Sequence, residues 1–421
     1  MTKREGMDRT VALEAAELSF SLAMNKAARR DAPWTAAQDA ILNDAAFGEA
    51  RRSIGAWPGY APTPLVALSG LAAETGVAAI HYKDEAKRFG LGSFKALGGA
   101  YAVAQVILAR AEASGIPLTM EDVVAGQQVG RAGEIARDLT VCCATDGNHG
   151  RSVAWGARSF GCACVIFIHE TVSHARKRAI EGFGAEVRRT KGNYDDSIRE
   201  AQGTAQAEGW IVVSDTSYPG YTDIPRHVMQ GYEVMAAEAF EALDAPPTHV
   251  FLQTGVGGMA AAVAGHAKRR WGGARPVIVL VDPDRAACWL DSFRAGRPTA
   301  VNGDLDTVMA GLACGDVSLL AWDILEDHGD AVMAISDEAA IAMMRRLAQP
   351  EAGDPPLVAG ESAVAGLVAL VLAMGDGAAQ AALGLGARSR VLVFGTEGDT
   401  DPELYRDLVG ADAETVRRGA A

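Results

Sequence analysis

The 421-residue sequence predicts an α/β protein with twisted, mostly parallel sheets flanked by helices. Three observations carry that expectation. From residue 140 to 209, apolar strand runs alternate with turns and helical runs three times: "TVCCATDGNHGRSVAWGARSFG", "CACVIFIHETVSHARKRAIEGFG" and "AEVRRTKGNYDDSIREAQGTAQAEG". Successive strand–turn–helix units need crossovers, and crossovers make neighbouring strands parallel. Further on, "THVFLQTGVGGMAAAVAGHAKRRW", "PVIVLVDPDRAACWL" and "SRVLVFGTEGDTD" are apolar runs ending in glycine- or acid-containing loops, the pattern of strands buried on both faces. Finally, 47 glycines and only 6% aromatic residues suit a loop-rich enzyme better than a base-stacking surface.

In chain order, residues 1–60 read as an irregular N-terminal extension with helical pieces, closing on the Pro-rich "WPGYAPTPLVAL". Val77–Tyr82 is expected to be a short buried strand feeding a charged loop. "SFKALGGAYAVAQVILARAEAS" follows as a helix, because Ala, Leu and Val recur at helical spacing, with Ser93 as its N-cap. Residues 114–138 read as a polar, glycine-containing connection. The three repeated units come next, and "WIVVSDTSYPG" supplies one more strand. Ligands in open α/β sheets gather at the C-terminal ends of strands, which places Asp146, Asp215, Gly255–Gly258 and Thr396 around one crevice.

Composition narrows the partners. The formal net charge is −14 and no long Lys/Arg cluster offsets it, so nucleic acid and anionic membrane are excluded as the main partner. Six cysteines (142, 143, 162, 164, 288 and 314) show no C-x-x-C spacing and are expected to be buried apolar thiols. No metal is expected: Cys162-x-Cys164 lacks a second half, and "GDTD" (398–401) is a lone acidic run. The N-terminus lacks the apolar stretch of a secretory signal and no run of about 18 apolar residues appears, giving a cytoplasmic expectation.

Several residues carry chemistry. Lys95 stands at the start of an apolar helix, either as a snorkelling surface lysine or as an amine that condenses with an aldehyde. Gly255, Gly257 and Gly258 lie between a strand and a small-residue helix, either as a tight turn or as a cradle for one phosphate. They do not form a dinucleotide fingerprint, because Ala260 stands where the third glycine belongs, and no Lys-Ser/Thr pair follows as in a P-loop. Asp146, inside "TDGNHG", reads as a helix cap or as a catalytic carboxylate beside a bound anion, and Asp215 as a turn-forming residue or a second acid. His149 reads as part of the turn or of a carboxylate-binding wall, and the acids of "YDDS" (194–197) as complements to a helix dipole.

Together, a Schiff-base lysine and a single-phosphate cradle describe a pyridoxal 5′-phosphate site. Pro-Thr-Pro-Leu (62–65), Lys-Asp-Glu (83–85), Ser-Phe-Lys (93–95), Gly-Asn-His-Gly (147–150) and Gly-Val-Gly-Gly (255–258) stand in an order that resembles the fold-type II pyridoxal-phosphate enzymes, the tryptophan synthase β and threonine dehydratase superfamily. Within it, "KDEAKRFGLGSFKALGGAYA", "NYDDSIR", "DTSYPGYTDIPRHVMQGY", "MAGLACG", "GESAVAGL" and "TEGDTD" resemble the diaminopropionate ammonia-lyase family.

The resemblance implies a large cofactor-binding domain from residues 1–138 and 243–421, a small domain at 139–242, and a homodimer. It implies α,β-elimination of a small amino-acid substrate, 2,3-diaminopropionate, to pyruvate and ammonia. Serine, threonine or hydroxyaspartate dehydration on the same scaffold is the alternative, with a catalytically silent ligand sensor as the third reading. Lys95 becomes the Schiff-base lysine with Phe94 beside it, and Gly255, Val256, Gly257, Gly258 and Met259 hold the phosphate. Asn148 falls near the ring hydroxyl and Thr396 at the pyridine nitrogen. Catalysis is assigned to Lys95, Asp146 and Asp215, and substrate binding to Ser93, Thr145, Asp146, Asn148 and His149. Dehydratases of this superfamily usually carry a small residue in place of Asp146, so this acid points to a substrate with a second amine.

Overall fold

A computed structural model describes residues 19–125, 130–145, 147–192, 194–351 and 353–419. The strands are β1 (Phe20–Met24), β2 (Leu65–Ala67), β3 (Ala79–Asp84), β4 (Thr140–Ala144), β5 (Ala163–Ile168), β6 (Glu186–Arg189), β7 (Ile211–Val212), β8 (His249–Gln253), β9 (Val277–Pro283), β10 (Ala331–Ile335) and β11 (Arg390–Gly395). Seven of them form one sheet in the order β1-β10-β9-β8-β11-β3-β2, and four form a second in the order β6-β5-β4-β7. The smaller sheet is parallel throughout, as the repeated units require. In the larger sheet only the edge strands β1 and β2 run antiparallel to their neighbours.

The apolar runs of β8, β9 and β11 are buried on both faces. Side chains alternate across a strand, so Val250, Leu252, Ile278, Leu280, Leu392 and Phe394 enter one core, while Phe251, Val279, Val281, Val391 and Val393 enter another. The first core continues onto the small sheet through Val141, Cys143, Ile166 and Ile168. Between the sheets lies the helix Ala96–Ala113, packed against the helices Asn148–Phe160 and Asp223–Ala242. Small residues permit that approach. A Cβ on Gly156 would stand 2.7 Å from Ala100 Cα, and one on Gly231 would stand 2.0 Å from the Leu97 carbonyl oxygen.

Several expectations need correction. The segment expected to be irregular contains β1, whose partner is set by register with β10, Phe20 opposite Ile335. A pairing so distant in sequence leaves no local trace. The strand expected at Val77–Tyr82 runs from Ala79 to Asp84, because its ladder with β11 extends through Lys83 and Asp84, whose charges mask strand character. Residues 114–138 include two helices, Met120–Ala125 and Gly130–Arg137. Ser93 is not the N-cap of the next helix. Lys95 occupies that position, and Ser93 is drawn inward by a bridge to Glu397. The helix Asp223–Ala242, at the end of the 139–242 stretch, packs on Ala96–Ala113 and Gly258–Trp271.

Four of the six thiols are buried, and none is in a disulfide. Burial pushes the Cys142 and Cys162 thiols up to about 12. The acids of "GDTD" have structural partners: Asp401 accepts the Leu404 N–H at the start of the helix Pro402–Val409, and Asp399 pairs with Arg417. Among the described residues, no single helix is long and apolar enough to cross a membrane.

Candidate active site

The strand ends of both sheets face a cleft of about 980 Å³, its open mouth included. Lys95 enters it from the start of its helix, and its Nζ donates to Asp215 Oδ2 at 2.6 Å. Burial alone would lower the lysine pKa, but the Asp215 charge outweighs it and the value is raised. Burial would conversely raise Asp215, yet Lys95, with help from His149, holds its carboxyl well below the usual range. The pair is ionic. The ammonium also lies 5.4 Å from the Phe94 ring centroid and 5.9 Å from that of Tyr232.

The turn after β4 supplies Thr145, Asn148 and His149. Thr145 Oγ1 accepts the N–H groups of Gly147 (3.0 Å) and Gly150 (3.1 Å), so the threonine satisfies donors at the start of the Asn148–Phe160 helix. Asp146 lies outside the described residues. His149 is buried, and its Nε2 donates to the Val213 carbonyl at 2.7 Å, because a carbonyl only accepts. Its Nδ1 stands 3.7 Å from Asp215 Oδ2. Burial, the largest influence, lowers the His149 pKa.

Gly255–Gly258 also line the cleft. Gly257 has φ +97°, and a Cβ there would meet Trp289 Cζ2 at 2.2 Å, so only glycine fits. Each carbonyl of the turn is drawn off: Gly255 O accepts from Trp289 Nε1 (3.0 Å), Val256 O from the Ser318 N–H (2.9 Å) and Gly257 O from the Ala261 N–H (2.9 Å). Gly257 caps the helix Gly258–Trp271 without a side-chain hydrogen bond. Its first turn therefore offers N–H groups to an anion.

The cleft lining contains Phe94, Lys95, Thr145, Asn148, His149, Asp215, Gly255, Val256, Gly257, Gly258, Met259 and Thr396. Ser93, expected at the substrate, is buried beside Glu397 and is not among the lining residues. The donor set fits pyridoxal phosphate: an amine for its aldehyde, a helix N-terminus for its phosphate, an amide for its hydroxyl and a hydroxyl for its ring nitrogen.

Sequence reasoning missed a charged cluster at the cleft, in which Glu397 and Arg176 line it and Glu361 lies behind. Asn148 Nδ2 donates to Glu397 Oε2, and Glu397 Oε1 accepts the Ser362 N–H at 3.1 Å. Arg176, from the helix His174–Glu181 of the small unit, donates to Glu361 Oε1 at 2.6 Å. Burial first, and the Glu397 charge second, push Glu361 up to about 7 against the opposing pull of Arg176. Gln253, at the end of β8, was also missed, although an amide closing the apolar run "VFLQ" was a visible signal.

The chain belongs to the family of pyridoxal-phosphate dependent enzymes, whose model matches residues 56–397. The diaminopropionate ammonia-lyase of Escherichia coli K12 is 41% identical over 357 residues, spanning 83% of this chain and 88% of that protein. By that relationship the chain is a member of the diaminopropionate ammonia-lyase family. The holo crystal structure of the Escherichia coli enzyme superposes with a TM-score of 0.84 at 37% identity, covering 93% of this chain and 97% of that one. Its complex with an aminoacrylate-PLP azomethine reaction intermediate gives 0.82 at 37% identity over the same shares.

Proposed function

We infer that this chain is a pyridoxal-phosphate-dependent ammonia-lyase that converts 2,3-diaminopropionate, with one water, into pyruvate and two ammonia. The carrying observation is the Lys95 amine, paired with Asp215 inside a cleft that is also lined by a glycine turn stripped of free carbonyls. The named activity of the Escherichia coli relative supports the same reaction.

Lys95 would hold the cofactor aldehyde, Gly255–Gly258 with Val256 and Met259 its phosphate, Asn148 its ring hydroxyl and Thr396 its ring nitrogen. When bound, the cofactor supplies an electron sink for the pair left at Cα. The Lys95 amine takes the Cα proton on its face of the substrate. Asp215 stands beside that amine and holds it charged when it is protonated. Asp146 either anchors the distal ammonium or takes the Cα proton from the face opposite Lys95, and two acids, or one acid with Lys95, would serve opposite enantiomers. Thr145, Asn148 and the helix N–H groups receive the substrate carboxylate.

A substrate panel tests the reading. Pyruvate release should be much faster from diaminopropionate than from serine, threonine or hydroxyaspartate, and the reverse ranking makes the chain a dehydratase. Asp146→Asn should depress turnover of the diamino acid far more than cofactor binding. The superfamily resemblance further supports a homodimer, which sedimentation of the holoenzyme tests.

A further inference from the structure

Gln253 is 3% exposed and closes β8 just before the glycine turn. Its Nε2 donates to the Phe394 carbonyl at 2.7 Å and to Thr396 Oγ1 at 2.8 Å, with the Ala363 carbonyl at 3.4 Å. The amide cannot be reversed, because Oε1 in that place would face two carbonyl acceptors. Its Oε1 has no partner among the described residues, so the side chain keeps these donations even though they leave a buried acceptor orphaned. One amide hydrogen goes to Phe394 and the other to Thr396.

That assignment constrains Thr396. Its Oγ1 is an acceptor toward Gln253, and among the described residues it donates to no protein acceptor. Thr396 is 4% exposed and lines the cleft, so its own hydrogen needs an acceptor there. We propose that Gln253 is a positioning residue that makes Thr396 a hydrogen-bond donor toward the pyridine nitrogen, so that this nitrogen stays unprotonated. The proposal rests on the placement of Thr396 at that nitrogen. A ring nitrogen that accepts a hydrogen bond must offer its lone pair. A neutral ring withdraws electrons less strongly than a pyridinium, so loss of the Cα proton becomes productive chiefly when a β-leaving group departs with it. Gln253 thereby favours elimination over proton exchange at Cα.

The test uses holoenzyme loaded with cofactor carrying ¹⁵N in its ring. The wild type should show the resonance of an unprotonated pyridine. In Gln253→Glu the new carboxylate accepts the Thr396 hydrogen, the hydroxyl presents a lone pair to the ring, and the resonance should move to the protonated position. Gln253→Met removes the donors at similar length, and the nitrogen should then titrate in the neutral range. Exchange of the Cα hydrogen of alanine, which has no leaving group, should rise about tenfold for each unit by which the nitrogen's pKa increases. A protonated nitrogen in the wild type overturns the proposal. So does a wild-type resonance in both Gln253 variants when Thr396→Ala shifts it, which leaves the placement of Thr396 standing. A resonance that Thr396→Ala also leaves unchanged overturns the placement and the proposal together.

Discussion

Lys95 Nζ and Asp215 Oδ2 meet at 2.6 Å across the cleft, joining the inter-sheet helix to the loop that follows the small sheet's β7. The contact ties an element between the two sheets to a strand end of the smaller one through a largely buried ion pair. Each charge moves the other's pKa against the direction that burial would impose.

Lys95→Ala should abolish turnover and remove the absorption band of lysine-linked cofactor. Asp215→Asn should retain the band and lose about 10²–10⁴-fold in turnover, the usual range for a positioned proton-transfer group. Without the aspartate, burial governs the lysine and its pKa falls. In the cofactor-free protein the Lys95 amine should therefore titrate at lower pH, and a titration identical to wild type would contradict the ion pair.

Arg176 and Glu361 form a second link between the units, with side chains 13% and 5% exposed. Arg176→Met leaves a buried carboxylate without its cation and should cost about 3–5 kcal/mol in denaturant unfolding above neutral pH. Because the Glu361 pKa is raised, its carboxyl is already protonated in mild acid, and the penalty should shrink below about pH 7. Adding Glu361→Gln should recover much of the loss, and a double variant no more stable than the single would count against this account.

Asp282 is fully buried, accepting from Thr254 Oγ1 (2.5 Å) and from the N–H groups of Trp289 (2.9 Å) and Leu290 (3.1 Å). Burial, only partly offset by these bonds, raises its pKa from 3.8 to about 7. Between those values the folded chain holds a proton that the unfolded chain releases, so this group's contribution to stability falls as pH rises. Asp282→Asn should flatten that part of the pH–stability curve, and urea midpoints measured from mild acid to neutrality provide the comparison. A slope equal to wild type would reject it.

Gly156→Ala should destabilise by about 1–3 kcal/mol, because its Cβ would press on Ala100 Cα at 2.7 Å. Gly203, inside the helix Tyr194–Glu208, serves as the control, because a Cβ there would meet nothing within 4 Å. Gly203→Ala should stabilise by up to about 1 kcal/mol through helix propensity. Thermal unfolding that moves both variants the same way would remove the close-approach argument.

Much of the site was legible because its parts are local. Thr145, Asn148 and His149 share one turn, the glycines share another, and each sits where an apolar run stops. Lys95, Asp215 and Thr396 carry side-chain types whose chemistry narrows their use. Glu361, Glu397 and Arg176 were not legible as a group. Glu361 and Glu397 fall inside distinctive stretches, but the stretches do not show that the two acids meet or that Arg176 reaches Glu361 from the small sheet's helix. Gln253 is similar: its meaning lies in the direction of one amide hydrogen, fixed by the carbonyl of Phe394.

The sequence by itself determined the layered α/β class and the parallel small sheet, because periodicity and turn chemistry act over a few residues, while the cofactor followed from the ordered motifs and the family resemblance they carry. Tertiary structure alone decided that β1 completes the large sheet, that Ser93 turns toward Glu397 and away from the cleft lining, and which buried acids are charged. Those outcomes depend on distance and burial between residues far apart in the chain, and hydrogen bonds and charges respond to that proximity, not to sequence order.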